Sequence, residues 1–302
     1  MKLKLSSYSL LFGVMLFAMC TAKKSIPSEK YIHDIEQWKQ ERLKEVLKEW
    51  IPLEGLFWLK EGENTMGSHS SNDIVFPETT APEKMVNFVL QDGSVLMKVI
   101  SSEIFSQEEK SLTELVLSTD TAKTYQKIQW KNFEWNLITR DNKTALRLKR
   151  ISGLADSSQI SIPYFPIDLS YRIEGKFIPY EENKTIPIGN VLGMLIDTKC
   201  PGKVVFKIEG KEYALDVLEG KEDSYFLLFA DATRGNETYG GGRYMYIPKE
   251  DNLGQITIDF NKAYNPPCAF TAFATCPLPP MQNILDVEIP VGEKYDEDNF
   301  GH

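Results

Sequence analysis

Between Ser28 and Trp50 the apolar residues Ile32, Ile35, Trp38, Leu43, Val46, Leu47 and Trp50 recur at near-helical spacing, and Gln37, Lys39, Glu41 and Lys44 fill the other side. That pattern predicts an amphipathic helix packed on a domain, with Ser28 placed to cap it. The helix is expected to reach about Leu47 and to end near Pro52, because proline removes a backbone donor and clashes with the preceding turn. Beyond Pro52 the period shortens. Apolar runs bounded by turn residues recur at 56–59, 73–77, 86–90, 94–99, 112–117, 127–130, 133–138 and 145–151. They resume at 171–177, 184–187, 191–196, 204–209, 211–218, 225–230, 243–247, 255–259 and 287–291. Such runs read as strands, with Glu61–Asn64 as a turn, and Gln91-Asp92-Gly93 and Glu209-Gly210 as hairpin turns. Turn signals spaced roughly every 8–12 residues point to a sandwich or barrel.

Residues 152–166 are rich in turn formers and mark a boundary between the two sets of strands. The expected fold is therefore mostly β: a short N-terminal amphipathic helix followed by two packed antiparallel β units. A tether and the helix occupy 21–49, an N-terminal β unit 50–155, a C-terminal β unit 156–293, and an acidic tail 294–302.

The N-terminal segment reads as an export signal. Lys2 and Lys4 precede a short apolar run from Leu10 to Phe17, and Cys20 stands where a lipoprotein signal places its acylated cysteine. Met19 departs from the small residue usual before such a cysteine, which leaves a cleaved secretory signal or an uncleaved anchor as alternatives. The apolar run falls short of the roughly 20 residues that a spanning helix needs. The expected place is a bacterial cell envelope, lipid-anchored through Cys20 and facing the periplasm. The formal net charge of −9 argues against nucleic acid as a partner, since that needs a basic footprint.

The densest chemistry lies in Asp259–Pro280, which holds five prolines, two cysteines, four aromatics and two asparagines in 22 residues. No helix and no central strand tolerates that proline content, so Asn265–Pro280 is expected to be an ordered irregular loop. Long stiff loops of this kind are usually functional. Cys268 and Cys276 form a disulfide candidate in an oxidising compartment, and closing that nine-residue loop is worth about 2.6 kcal/mol on the chain-entropy account. A second polar cluster, Asp231–Tyr244, contains three consecutive glycines but lacks the lysine of a nucleotide-binding P-loop. Its bland reading is a hairpin loop whose Asp231 and Thr233 bond local backbone. The alternating basic strand Leu146–Arg150, with Arg172, reads first as a solvated face and second as a carboxylate or phosphate contact. Histidines are nearly absent, at three in the chain, and Cys268 and Cys276 lack further ligands at zinc spacing, so no metal site is expected. A cysteine–histidine nucleophile pair has no basis either. No cofactor is implied.

Two resemblances follow from these residues. Gly62–Phe76 is similar to the opening of forkhead-associated domains, which implies a sandwich; Ser68 stands where that family has its phosphate-binding arginine, so phosphothreonine binding is not carried over. More extensively, Leu53-x-Gly-Leu-x-Trp-Leu-x-x-Gly62, Asp231-x-Thr-x-Gly-x-x-Thr-Tyr239 with Gly242-Arg243, Asp259-Phe-Asn-x-Ala-x-Asn-Pro-Pro-Cys-Ala-Phe-Thr271, Ala274-Thr-Cys-Pro-Leu-Pro-Pro280 and Gly292-Glu293 resemble the bacterial domain of unknown function 1684. That resemblance spans about residues 50–293. It implies a shared architecture and a shared C-terminal loop, and brings no activity, cofactor or catalytic residue. Phe273 departs from it, standing where a tyrosine is common.

The leading expectation is a binding module for a small molecule or an envelope component. Its site would lie at a mouth formed by residues 231–243 and 259–276. Asp231, Thr233, Tyr239, Arg243, Asp259, Asn261, Tyr264 and Asn265 would supply polar contacts, and Phe270 and Phe273 apolar walls. Two rivals stay open: a hydrolase using Asp231 or Asp259 as general base, and a scaffold that uses the stiff loop as a protein interface.

Overall fold

The computed structural model describes residues 26–297, apart from 102–104, 108–109, 153–159, 183 and 222. The export signal, Cys20, the front of the tether and residues 298–302 of the acidic tail lie outside the described residues. Helix α1 runs from Glu29 to Glu45, and the Ser28 side chain accepts a hydrogen bond from the Tyr31 amide, as an N-cap should. The helical rod continues past Leu47 through a π-turn, Val46–Trp50, closed by the Ile51 amide bonding to the Val46 carbonyl at 3.0 Å. This wider turn carries the chain into Pro52 and leaves Trp50 against the β units.

The N-terminal unit is a sandwich. Its strands are β1 (Leu53–Trp58), β2 (Gly62–Gly67), β3 (Ile74–Val75), β4 (Val86–Gln91), β5 (Ser94–Val99), β6 (Phe105–Gln107), β7 (Lys110–Leu112), β8 (Glu114–Leu117), β9 (Ile128–Trp130), β10 (Phe133–Arg140) and β11 (Lys143–Arg150). One sheet has the order β1-β11-β10-β9-β6-β7 and the other β3-β2-β4-β5-β8, with only β2 and β3 parallel among the described pairs. Alternate residues of the facing strands close the core, where Phe76 packs edge-on against Trp130 and Phe133. Residues 61–64 are not a separate turn as expected: Gly62 opens β2, and the Asn64 side chain bonds back to the Lys60 backbone on both sides, at 2.8 and 2.9 Å.

The C-terminal unit is built from β12 (Arg172–Pro179), β13 (Thr185–Gly189), β14 (Leu195–Lys199), β15 (Gly202–Ile208), β16 (Lys211–Glu219), β17 (Ser224–Phe229), β18 (Arg243–Pro248) and β19 (Gln255–Asp259). Six strands make one antiparallel sheet, β18-β17-β16-β15-β12-β19, whose edge strands β18 and β19 approach each other, so that it curls into a nearly closed barrel. β13 and β14 form a separate hairpin. The run 191–196 is shifted by a turn in which the Asn190 side chain accepts from the Leu192 and Met194 amides, so strand structure resumes only at Leu195. The two-residue turns behave as read: Asp92-Gly93 and Glu209-Gly210 all have positive φ.

Residues 287–291 form no strand. The segment is extended, but the Ala232 amide bonds the Val287 carbonyl, and the carbonyls of Ile289 and Val291 are taken by the Arg243 guanidinium. A side chain has replaced the neighbouring strand.

Candidate functional site

Polar residues at 231–243 are drawn into the interior rather than to a mouth. Arg243 and Asp231 pair at 2.6 Å with side-chain exposures of 1% and 1%. The other Asp231 oxygen accepts from the Thr233 amide and hydroxyl and from the Ile289 amide. The Thr233 hydroxyl also meets that of Thr238. Burial lowers the Arg243 pKa, and Asp231 opposes that shift. With its oxygens occupied in this way, Asp231 serves as a clamp that ties β18 to the 287–291 segment.

A second buried network, centred on Glu293, lies nearby. Glu293 is fully buried; one of its oxygens accepts from Arg42 Nε and the Tyr164 hydroxyl, both at 3.2 Å, and the other from the Asn265 amide at 2.8 Å. Arg42 also donates to the Asn265 carbonyl and lies over the rings of Tyr264 and Phe270. Burial works against the Arg42 charge, but Glu293 and Glu45 outweigh it and hold its pKa above the ordinary arginine value. Burial pushes the Glu293 carboxyl up, and Arg42 pulls it back only in part. Gly292, at φ +80, permits this turn: a Cβ there would fall 2.5 Å from the Ala263 carbonyl oxygen.

Asp259 and Asn261 sit apart from both networks, at the end of β19. The Tyr31 hydroxyl reaches both Asp259 oxygens at 2.9 Å, and the Asn261 amide and side chain bond Asp259 Oδ1. Asn261 also bridges both polar groups of the Asp168 backbone. This end borders a 330 Å³ cavity with Arg172 and Lys262. The residues proposed from sequence as one mouth therefore divide among a buried clamp, a buried network that includes Asn265, and a helix-docking point.

The proline loop does fold back over the glycine-rich hairpin. The Tyr239 hydroxyl donates to the Cys268 carbonyl at 3.2 Å, and Tyr244 and Tyr264 exchange backbone hydrogen bonds. Gly242, at φ +86, lets Pro279 approach to where a Cβ would stand only 2.6 Å from its ring. Cys268 and Cys276 are free thiols, and the Cys268 amide donates to the Cys276 sulfur at 2.9 Å. The Cys276 thiol holds the Cys268 pKa below the usual thiol range, whereas burial pushes Cys276 up.

The outer face of this loop walls a cleft between the helical rod and the C-terminal unit, one end of which reaches the N-terminal unit. A 430 Å³ cavity runs under α1, lined by Trp38, Arg42, Trp50, Phe226, Tyr246 and Tyr264 among others. It shares Trp50, Phe226, Tyr244 and Pro267 with a 220 Å³ cavity that reaches Arg140 and Arg147 of the N-terminal unit. Phe226 meets Tyr244 edge-on and stacks on Tyr246, and Tyr244 meets Tyr264 edge-on, so the wall is a continuous aromatic surface. Of the residues proposed from sequence, Tyr264 faces this cleft, with Phe270 packed beneath the helix. Arg42, Trp50 and Arg140 are not among the site residues expected from sequence; Arg147 lies in the alternating basic strand that reads first as a solvated face and second as a carboxylate or phosphate contact. Among the described residues no group of three or more His, Cys, Asp or Glu could hold a metal ion.

Residues 160–294 match the family described as "Protein of unknown function (DUF1684)". Over this segment the chain is similar to that family. The matched residues span the C-terminal unit and include the Asp231–Arg243 clamp, Glu293 and the proline loop, whereas α1 with Arg42 and the N-terminal sandwich fall outside them. A solution structure of an uncharacterized protein from Haloarcula marismortui is similar at 27% identity over 49% of this chain and 84% of that one, with a TM-score of 0.40. A crystal structure of the FhaA FHA domain, solved with the intracellular domain of another protein, is 13% identical over 30% of this chain and 96% of that one, at TM-score 0.22. EmbR of Mycobacterium tuberculosis, solved with a low affinity phosphopeptide, is 11% identical over 43% of this chain and 34% of that one, at TM-score 0.22. No curated protein matches. The matched segment thus contributes the aromatic wall and the loop of the cleft, and the segments before it contribute Arg42, Trp50, Arg140 and Arg147.

Proposed function

We propose that the protein is an envelope lipoprotein, anchored through Cys20, that binds a small molecule or envelope component in the cleft beneath its helical rod. The observation that carries this reading is the aromatic wall of Phe226, Tyr244, Tyr246 and Tyr264, facing Trp38 and Trp50 of the helical rod across a 430 Å³ space. A concave, largely apolar lining with a few placed polar groups is the usual form of a ligand site. The general-base reading is disfavoured by the same geometry, since Asp231 is locked to Arg243 and Asp259 to Tyr31.

Purification of the full chain from its native envelope, followed by mass spectrometry of released small molecules, tests this directly. A compound recovered with wild type and depleted at least several-fold with Phe226→Ala is expected; equal recovery from both would end the proposal. Cys20→Ser is expected to move the protein from the membrane to the soluble fraction on cell fractionation, because the acyl chains that supply the anchor are then absent.

A further inference from the structure

One corner of the cleft carries an unmet electrostatic demand. Asn136 and Arg147 are cross-strand partners in the β10–β11 pair, and Arg140 lies four residues along β10 from Asn136. Period-two alternation therefore puts Arg140 and Arg147 on the same sheet face. That face meets the proline loop, and both arginines line the 220 Å³ cavity with Trp50, Tyr244, Thr275 and Cys276.

The two guanidinium groups are in different situations. Arg140 is partly committed: its Nη1 meets Asp120 at 2.9 Å, and its Nε donates to the Thr275 hydroxyl at 3.2 Å. On the same strand as Arg147, Lys149 pairs with Glu49 and Arg150 with Glu54. Arg147 has no such carboxylate among the described residues, and its Nε is sealed from solvent without a hydrogen-bond partner. Trp50, on the π-turn that ends the helical rod, is in the same condition: its Nε1 is buried and unpartnered. Two orphaned donors, one of them cationic, thus border a single cavity. Buried N–H groups nearly always find acceptors, and a partly buried cation favours a nearby counter-charge. Burial lowers the Arg147 pKa and the neighbouring Arg140 charge adds to that effect, with Asp120 opposing them only in part.

The geometry points to an anion subsite in which Arg147, Arg140 and Trp50 hold the carboxylate or phosphate group of a cleft ligand. Arg147 would offer its planar fork, Trp50 a single N–H, and Arg140 the donors that Asp120 leaves. Phe226 and Tyr244 would cover the uncharged remainder of the molecule. This rests on the cleft being the binding site and adds the chemical class of what it binds.

Calorimetry and thermal melts of the full chain with inorganic phosphate, benzoate and neutral benzamide test the subsite. Wild type is expected to bind phosphate or benzoate saturably, and its melting temperature to rise by about 2–5 °C at tenfold excess over the dissociation constant. Whichever anion binds tighter assigns the group as phosphate or carboxylate. Arg147→Met is expected to abolish that binding, and Trp50→Phe to weaken it by about 3–10-fold through loss of one N–H. In buffer free of such anions Arg147→Met is expected to melt no lower than wild type, because an apolar replacement of similar length fills the same space and removes a partly buried cation that has no salt bridge. A marked fall in that melt, or failure to fold, would make Arg147 a structural residue and overturn the subsite. Equal anion binding by wild type and Arg147→Met would overturn it too. Benzamide binding that Phe226→Ala removes, without preference for either anion up to about 10 mM, would overturn the subsite while the cleft survives. Absence of binding by all three probes would remove both.

Discussion

Arg42 and Glu293 stand 251 positions apart in the chain, yet meet with side-chain exposures of 3% and 0%. Removing one member strands the other in the interior, so Arg42→Ala is expected to cost about 3–5 kcal/mol in urea denaturation. The double replacement Arg42→Met with Glu293→Met should cost far less than the sum of the two singles, which a double-mutant cycle reads as coupling. Asp73 shows a different kind of carboxylate, exposed but held by Lys60 and by the Thr65 amide and hydroxyl. These hydrogen bonds, that to Lys60 first, lower its pKa to about 2. A depressed carboxylate stabilises the fold above its unfolded pKa of about 4, and that contribution is lost as pH falls toward 2. Asp73→Asn should therefore flatten the acid limb of the stability profile between those values, with little change in the shape of the profile near neutrality. Asp231 and Arg243 were legible as unusual residues because charged groups beside a triple glycine are rarely decorative. Their role was not, since nothing local shows that they pair with each other instead of facing solvent.

Element by element, what could be read depended on whether a backbone partner was local. The hairpins at Asp92-Gly93 and Glu209-Gly210 are fixed by two residues each and were plain in the sequence. The helix was legible from its apolar stripe, but its π-turn was not, because that turn answers to where Trp50 must pack. The 287–291 run carries the apolar character of a strand and lacks a strand partner: Arg243 takes its carbonyls. The proline loop was legible as stiff and ordered from composition alone. The hydrogen bond from the Cys268 amide to the Cys276 sulfur places the two residues close enough for mild oxidation to couple them. Oxidised protein is expected to gain about 2–3 kcal/mol over reduced protein, and Cys276→Ser to lose that gain, with thiol alkylation reporting the redox state.

At the level of the whole molecule, the cleft exists only because four separately encoded parts meet: the helical rod, the β10–β11 face, the β17–β18 wall and the proline loop. Arg147 looks like one tooth of a solvated basic strand until the loop covers it, and no pattern within residues 146–150 announces that cover. Long-range closure of this kind is invisible to periodicity, which reports one element at a time. The closure also sets an order of events during synthesis. Arg42 emerges early, while Glu293 lies near the chain's far end, so the rod cannot dock until nearly everything else has been made. A ribosome or translocon releasing the chain would hand over a completed sandwich whose preceding helix is still waiting, its apolar stripe open to whatever chaperone is at hand. A chain stopped just before Gly292 should keep its N-terminal sandwich and still be prone to aggregate, with Glu293 acting as the latch for the helical rod at 29–50.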